Sequence, residues 1–582
     1  MRQIYCIFFI FYAYCGNAQM YISPSSQDDA YVYLSDRFLY VEGAIQLMKN
    51  KPGPTEASIY LRKGSQLLQG DKSTNRNSGN GWLSVFQEGT SNAFDYNYWT
   101  LPVLDNISNN KGFGAVIFIP QTKTQSRPVQ LTSNLEGSAN PLKISSRWIH
   151  KYSGSEYDGW KHVGSIFDVA PGEGFSMKGV NGTNTTTING VANNPGNKQR
   201  YDFRGLPNDG EIKLQIKKEE SILVGNPYPS ALHLQTFLFK NPASTGIAYF
   251  WDSKSHGNSH YLKDYEGGYG SYSPGANAYV PAVFKTYNGA GEENGNSGTN
   301  GATIAREYSP IAQGFMLTGK SDGYIHFKNS QRRFKKENVQ NSQFKTQQKK
   351  EDPLFYFDIE FNELYTRPLL LTFREDASTA ADWAMDAEIY GLLDNDAGWN
   401  INELAYNIQV RPFRKNDKIP LLFNLKENAR IVISLNTKAA DYQEPVFLFD
   451  AEEKQYYAIK EADFSIELTK GIYNKRFFIS FMEEREEISF PSELDNEGIM
   501  PHSAEFAIVQ NELASLKIRM KQSLLKKVVL FDLNGKMVFS EEIEPGNKTY
   551  SFNTPGLQNA VYIVKMICED EQVFTSKISV KN

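Results

Sequence analysis

Apolar residues in this chain fall in short runs, and almost every run is closed by Gly, Pro, Asn or Asp. Tyr31-Val32-Tyr33-Leu34, Phe38-Leu39-Tyr40-Val41, Ser58-Ile59-Tyr60-Leu61 and Gln66-Leu67-Leu68 are the first of many. Runs this short, alternating or wholly apolar and punctuated by turn residues, mark strands rather than long helices. The 33 Tyr, 37 Phe and 7 Trp suit a pleated, half-buried surface, and the 44 Gly and 25 Pro supply turns between such strands. The pattern predicts an all-β chain of several β-sandwich or β-solenoid-like modules in tandem. Its 582 residues exceed what one core serves, so about three or four folded units are expected.

The runs divide the chain. Residues 19–94 hold closely stacked strands and read as a β region with solenoid-like rungs. Residues 95–215 and 216–330 read as two copies of one β module. Tyr98-Trp99-Thr100-Leu101-Pro102-Val103 is echoed by Leu223-Val224-Gly225-Asn226-Pro227-Tyr228-Pro229, and Arg147-Trp148-Ile149 by Tyr249-Phe250-Trp251. Gly174-Phe175-Ser176-Met177 answers Gly314-Phe315-Met316-Leu317, and the copies end in the aromatic strands Tyr201-Asp202-Phe203 and Tyr324-Ile325-His326-Phe327. The polar, lysine-rich stretch 331–353 reads as a linker, 354–482 as a β-sandwich, and the acidic stretch 483–503 as a second linker.

The first 18 residues have the form of a signal peptide, with Arg2, an apolar run from Ile4 to Tyr14, and cleavage expected between Ala18 and Gln19. That run is too short for a permanent membrane span, and no later stretch approaches the necessary length. Cys6 and Cys15 would leave with it, so Cys568 alone of the 3 Cys remains and no intramolecular disulfide is expected. A formal charge of -5 offers no basic surface for phosphates, which sets nucleic acid aside as a partner.

In residues 504–582, strand-like segments flank Asn534-Gly535, a dipeptide that accepts the positive φ angles of a tight hairpin turn. Val561 to Met566 and Phe574 to Val580 complete a small immunoglobulin-like β-sandwich. Leu516-Lys517-Ile518, Phe531-Asp532-Leu533-Asn534-Gly535-Lys536, Val561-Tyr562-Ile563-Val564-Lys565 and Ile578-Ser579-Val580-Lys581 follow in order. With them this last unit resembles the type A C-terminal sorting domain of the type IX secretion system, found on surface and secreted proteins of Bacteroidetes. Asp532, Asn534, Gly535, Tyr562 and Lys565 match its motif, while Ala560 stands where that family normally has Gly. The resemblance implies export through the type IX machinery to the outer cell surface or beyond, with the acidic stretch before the unit as the place for cleavage.

Several motifs could carry chemistry. Gly314-Phe315-Met316-Leu317-Thr318-Gly319-Lys320-Ser321 has the letters of a phosphate-binding loop, and Gly319-Lys320-Ser321-Asp322-Gly323 those of a nucleophile elbow. Both need a helix after the turn, whereas here a strand follows, so a polar hairpin turn is expected. His256 and His260, flanked by Asp252 and Asp264, read as a solvated loop rather than a metal site. Asp394-Asn395-Asp396-Ala397-Gly398, with Asp382 and Asp386, could offer oxygen ligands to a structural calcium ion, although Gly398 is misplaced for an EF-hand. No other cofactor is indicated. The expected role is non-catalytic and structural, adhesive or ligand-binding at the cell surface. The rival is a carbohydrate-binding protein or glycan hydrolase acting on an extracellular glycan or surface polymer, with Trp160, Tyr265, Tyr269 and Tyr272 as exposed rings for sugars to stack on.

Overall fold

The computed structural model describes residues 19–71, 73–74, 76–105, 116–165, 168–254, 259–289, 293–337, 353–437, 445–483, 506–511, 515–520, 523–532, 536–553, 557–558, 560–570 and 572–580. The chain is all-β, with one short α-helix, Leu234–Phe239, among the described residues. It forms two compact units, Met1–Glu483 and Glu484–Asn582. No helix among the described residues is long and apolar enough to cross a membrane.

The larger unit begins as a parallel β-solenoid. Met20–Ile22, Ile45–Leu47 and Ser78–Gly79 stack in one sheet, Val32–Ser35, Ile59–Arg62 and Leu83–Glu88 in a second, and Phe38–Val41 and Gln66–Gln69 in a third. Ile22, Ile45, Leu47, Ile59, Leu61 and Leu67 point inward and are buried. The stack ends where Leu83–Glu88, parallel to its solenoid neighbour on one side, pairs antiparallel with Arg200–Pro207 on the other. Asp202 on that partner strand is fully buried and neutralised locally, accepting from Arg204 Nε at 2.7 Å and from Ser84 Oγ at 2.6 Å.

A large curled sheet follows, in the order Glu293–Asn300, Val283–Tyr287, Glu266–Ser273, Ala248–Ser253, Gly314–Thr318, Ser221–Gly225, His150–Gly154, Phe175–Lys178 and Tyr96–Trp99. The internal repeat is visible in this order. The triad Tyr96–Trp99, Phe175–Lys178 and His150–Gly154 is connected like the triad Ser221–Gly225, Gly314–Thr318 and Ala248–Ser253, and the two join edge to edge through Ser153 opposite Ile222. The far edge curls back: Trp99 bridges Gln313, and Thr100 N donates to Ala312 O at 2.9 Å. The two repeat copies therefore share one sheet, and the boundary expected at residues 215 and 216 is crossed by strand pairing. Strand edges left open in each triad are satisfied by the other triad, which a sequence repeat alone does not reveal.

The 331–353 stretch departs from a linker at its start. Arg332–Arg333 pairs with Ala231–His233, and the buried Arg332 donates to Ser230 Oγ at 3.0 Å and to the carbonyl of Leu67. A guanidinium fixed in this way ties the segment to the solenoid core, although its sequence looks solvated. Residues 338–352 lie outside the described residues. A second large sheet, from Leu354 to Ser480, rolls over a core of Phe355, Phe357, Ile359, Trp399, Phe423 and Phe477. Its other face contributes Leu370, Ile408 and Val410 to a cluster with Tyr152, Leu223, Tyr249 and Met316 of the curled sheet.

The smaller unit has two sheets, one of Phe506–Asn511, Ser515–Met520 and Thr549–Asn553, the other of Met537–Glu542, Leu525–Asp532, Ala560–Cys568 and Val573–Val580. Ile518, Leu530, Val564, Met566 and Cys568 fill its core. Cys568 is buried and free of any disulfide.

Candidate functional site

Strand alternation in the curled sheet sorts its aromatic residues. In Tyr96–Trp99, Trp99 faces the solenoid side, where it packs on Tyr201 with ring centroids 5.4 Å apart, while Tyr96 and Tyr98 face the other way. His150 and Tyr152, Trp251, Tyr269 and Met316 present themselves on this second face from neighbouring strands. Tyr390 comes in from the segment after Ala387–Glu388 and Trp160 from the strand paired to Tyr152. The result is a cavity of about 390 Å³ walled largely by rings. Tyr98 lies 5.8 Å from Trp160 and 6.5 Å from Trp251, with which it is nearly parallel. Tyr269 lies 5.3 Å from Trp251 and 4.9 Å from Tyr390.

Two glycines let the rings come this close. A Cβ on Gly267 would stand 2.5 Å from the indole of Trp251, and one on Gly314 would stand 2.8 Å from the backbone of Tyr98. Gly314 is the first glycine of the phosphate-loop letters, so packing accounts for it. Gly314–Thr318 pairs with Ser221–Gly225, and Gly323–Phe327 with Ile212–Ile216 in a separate sheet. The turn at Lys320 is thus a corner between two sheets and not the expected hairpin, because each strand finds its partner elsewhere. No helix follows it, and Lys320 N donates to Ala243 O at 2.8 Å.

Burial holds the phenols of Tyr98 and Tyr269 well above their ordinary range and pushes Tyr152 up to about 12, so all three stay protonated at neutral pH. Tyr152 donates to Glu156 O at 3.1 Å. The indole N–H of Trp251 is buried with no acceptor among the described residues. His150 is pushed down by burial and by His162 beside it. Ser176, across the strands from His150, gives its hydroxyl to Trp148 O at 3.3 Å. The carboxylates in the lining are Glu156 and Glu293, the latter paired with Lys285 at 2.5 Å.

Behind the wall formed by Tyr96 and Tyr265, the buried Lys178 points its ammonium at Trp148, 3.9 Å from the ring centroid. It donates to the hydroxyl of Tyr265 and meets His260 Nδ1 at 3.0 Å, and burial lowers its pKa to about 7. His260 stacks on Trp148 at 5.0 Å, which corrects the expectation of a solvated loop: the flat imidazole is drawn in by ring packing. His256 lies outside the described residues.

Among the expected rings, Trp160, Tyr265 and Tyr269 line the cavity, but Tyr272 does not. It falls on the opposite face of its strand from Tyr269, 1% exposed in a core with Phe250 and Tyr279. Tyr96, Tyr98, Tyr152, Trp251 and Tyr390 were not foreseen. Tyr98 and Trp251 sit in the repeat segments, where alternation about the buried Trp99 and Phe250 was the available signal.

No group of three or more His, Cys, Asp or Glu gathers as a metal site among the described residues. The oxygens considered for calcium are turned to other use. Asp396 is held bidentate by Arg367 at 2.7 Å, Asp394 pairs with Lys426 at 2.6 Å, and Asp386 accepts from the backbone N–H of Asp382 and Val410. Gln19 is exposed just before the first strand, and Ala18 lies outside the described residues. In the smaller unit Asp532 Oδ1 accepts from Lys536 N at 2.9 Å, Tyr562 is buried and donates to Gln558 O at 3.0 Å, and Lys565 lies opposite Val529 and Thr575. Asn534 and Gly535 lie outside the described residues.

Residues 38–481 match the family described as "Domain of unknown function (DUF8693)". The chain belongs to that family. The DUF8693 region spans both large sheets and ends at Phe481, and a second family, "Domain of unknown function (DUF8694)", matches residues 499–580. No curated protein matches the chain. A solved structure described as "Biofilm associated protein - BSP domain" aligns at 10% identity over 88% of this chain and 96% of that one, with a TM-score of 0.11, too low to speak for a shared fold.

Proposed function

We propose that this is an exported, non-catalytic surface protein that binds a sugar unit of an extracellular glycan or surface polymer in its ring-walled cavity. The observation that carries the reading is the convergence of Tyr98, Tyr152, Trp160, Trp251, Tyr269 and Tyr390 on one cavity. Flat rings cover the apolar faces of a pyranose, while the paired hydroxyls of Tyr98 and Tyr269 and the carboxylate of Glu156 supply polar groups to its hydroxyls. A volume of about 390 Å³ suits one or two sugar units. The non-catalytic part is supported by Ser176, whose hydroxyl goes to a carbonyl and not to His150, and by the pairing of Glu293 with Lys285.

Export is proposed from the sequence: the leader before Gln19, and a terminal unit whose motifs resemble a type IX sorting domain. A glycan array combined with product analysis tests the first part. Binding without bond cleavage, lost in Tyr98→Ala, is the expected result, and released sugar would overturn the non-catalytic reading. For export, deletion of everything after His502 is expected to abolish delivery to the cell exterior.

A further inference from the structure

We propose that the ligand of this cavity carries a protonated amine, so that the site selects an organic ammonium over neutral and anionic compounds of the same size. The inference rests on the cavity being a ligand site. It follows from the charged groups and the rings that line it.

A cation within about 6 Å of an aromatic ring face is attracted by the negative side of its quadrupole, more strongly as water is excluded. The two ionisable acids in the lining are Glu156 and Glu293, and neither Lys nor Arg lines the cavity. Lys285 cancels Glu293. Glu156 stands exposed at the rim with no cation on its carboxylate among the described residues, and Asp158 is two positions away. Both carboxylates act on the phenol of Tyr152, inside the cavity, in the sense that negative potential requires.

Positive groups nearby do not offset this. His150 is kept neutral by burial and by His162. Lys151 and Lys161 are opposite one another in the strand pair, on the face away from Tyr152 and Trp160, and Lys151 is bound to Glu173 at 2.7 Å. Lys178 does not line the cavity: it lies behind Tyr96 and Tyr265, turned to the ring of Trp148, the hydroxyl of Tyr265 and His260 Nδ1. An incoming ammonium would therefore meet rings and one unmatched carboxylate, whereas a carboxylate or phosphate would meet repulsion and no donor cation.

The test is titration calorimetry at pH 7 on the chain from Gln19 onward, with a glucosamine oligomer, its N-acetylated form, a glucuronate oligomer and choline as probes. The glucosamine oligomer is expected to bind about tenfold more tightly than the N-acetylated one, and the glucuronate oligomer more weakly than either. Glu156→Gln, at an exposed position, should erase most of that preference by weakening the glucosamine oligomer far more than the N-acetylated one. Choline binding without glucosamine binding would keep the ammonium and remove the sugar. Equal affinity for the two oligomers would overturn the ammonium proposal and leave the cavity reading standing. No binding of any probe would overturn both.

Discussion

Tyr98 and Tyr269 are 171 residues apart in the chain, and their hydroxyls are 2.7 Å apart inside the cavity. One strand belongs to the first repeat copy and the other to the second, so this contact reports on the closure of the curled sheet. Replacing either hydroxyl leaves the other without its partner at a site largely shielded from water. Tyr98→Phe and Tyr269→Phe are each expected to cost the larger unit about 1 kcal/mol in denaturant unfolding. The double variant should cost less than the sum of the two, by about 0.5–1 kcal/mol. Additive costs would mean that the two phenols do not share a bond.

Gly314 and Lys320 separate the packing account of the phosphate-loop letters from a chemical one. Gly314→Ala forces a methyl group against the backbone of Tyr98, which cannot swing aside, and is expected to destabilise by about 1–3 kcal/mol. Lys320→Ala, at an exposed corner, should change stability by less than about 0.5 kcal/mol. A rise in Tm with a nucleoside triphosphate that disappears in Lys320→Ala would reinstate phosphate binding.

Lys178 gives a pH dependence of known sign. Burial lowers its folded pKa to about 7 from 10.5, so between these values the unfolded chain holds the extra proton. Stability therefore rises as pH increases through this window, by at most about 1.4 kcal/mol per pH unit from this group. Comparing wild type with Lys178→Met between pH 7 and 9.5 should show the rise in the wild type alone. Parallel curves would refute the assignment.

Much of the fold was legible in the sequence for a simple reason. Short runs with a two-residue period and turn residues between them can bury one face only as strands, and Ile45, Ile59 and Leu67 duly fill a solenoid core. What stayed hidden was which strands pair. The likeness of Gly174-Phe175 to Gly314-Phe315 is local, whereas their meeting in one sheet depends on contacts distant in sequence. The same limit applied to the cavity. Trp160 and Tyr269 were readable as aromatic residues outside obvious core runs, but Tyr272 looks the same in sequence and only register distinguishes its face. Arg332 was misread with the lysines after it because nothing local signals a guanidinium destined for a buried carbonyl.

Asp396 and Asp394 test the residues considered for calcium. Arg367 and Asp396 are 5% and 1% exposed, so Asp396→Ala strands a buried guanidinium and is expected to cost about 3–5 kcal/mol. Asp394→Ala breaks a solvent-facing pair with Lys426 and should cost less than about 1 kcal/mol. Thermal melts with and without calcium complete the comparison: a calcium-dependent shift lost in Asp394→Ala would show that an ion binds there.

The strand Leu83–Glu88 faces a parallel neighbour on one side and an antiparallel one on the other, which fixes the direction in which the solenoid can vary. With Arg200–Pro207 on its far side and Leu67 held by Arg332, a further coil finds room only beyond the opening turn, where Met20–Ile22 and Val32–Ser35 stand at the ends of their sheets.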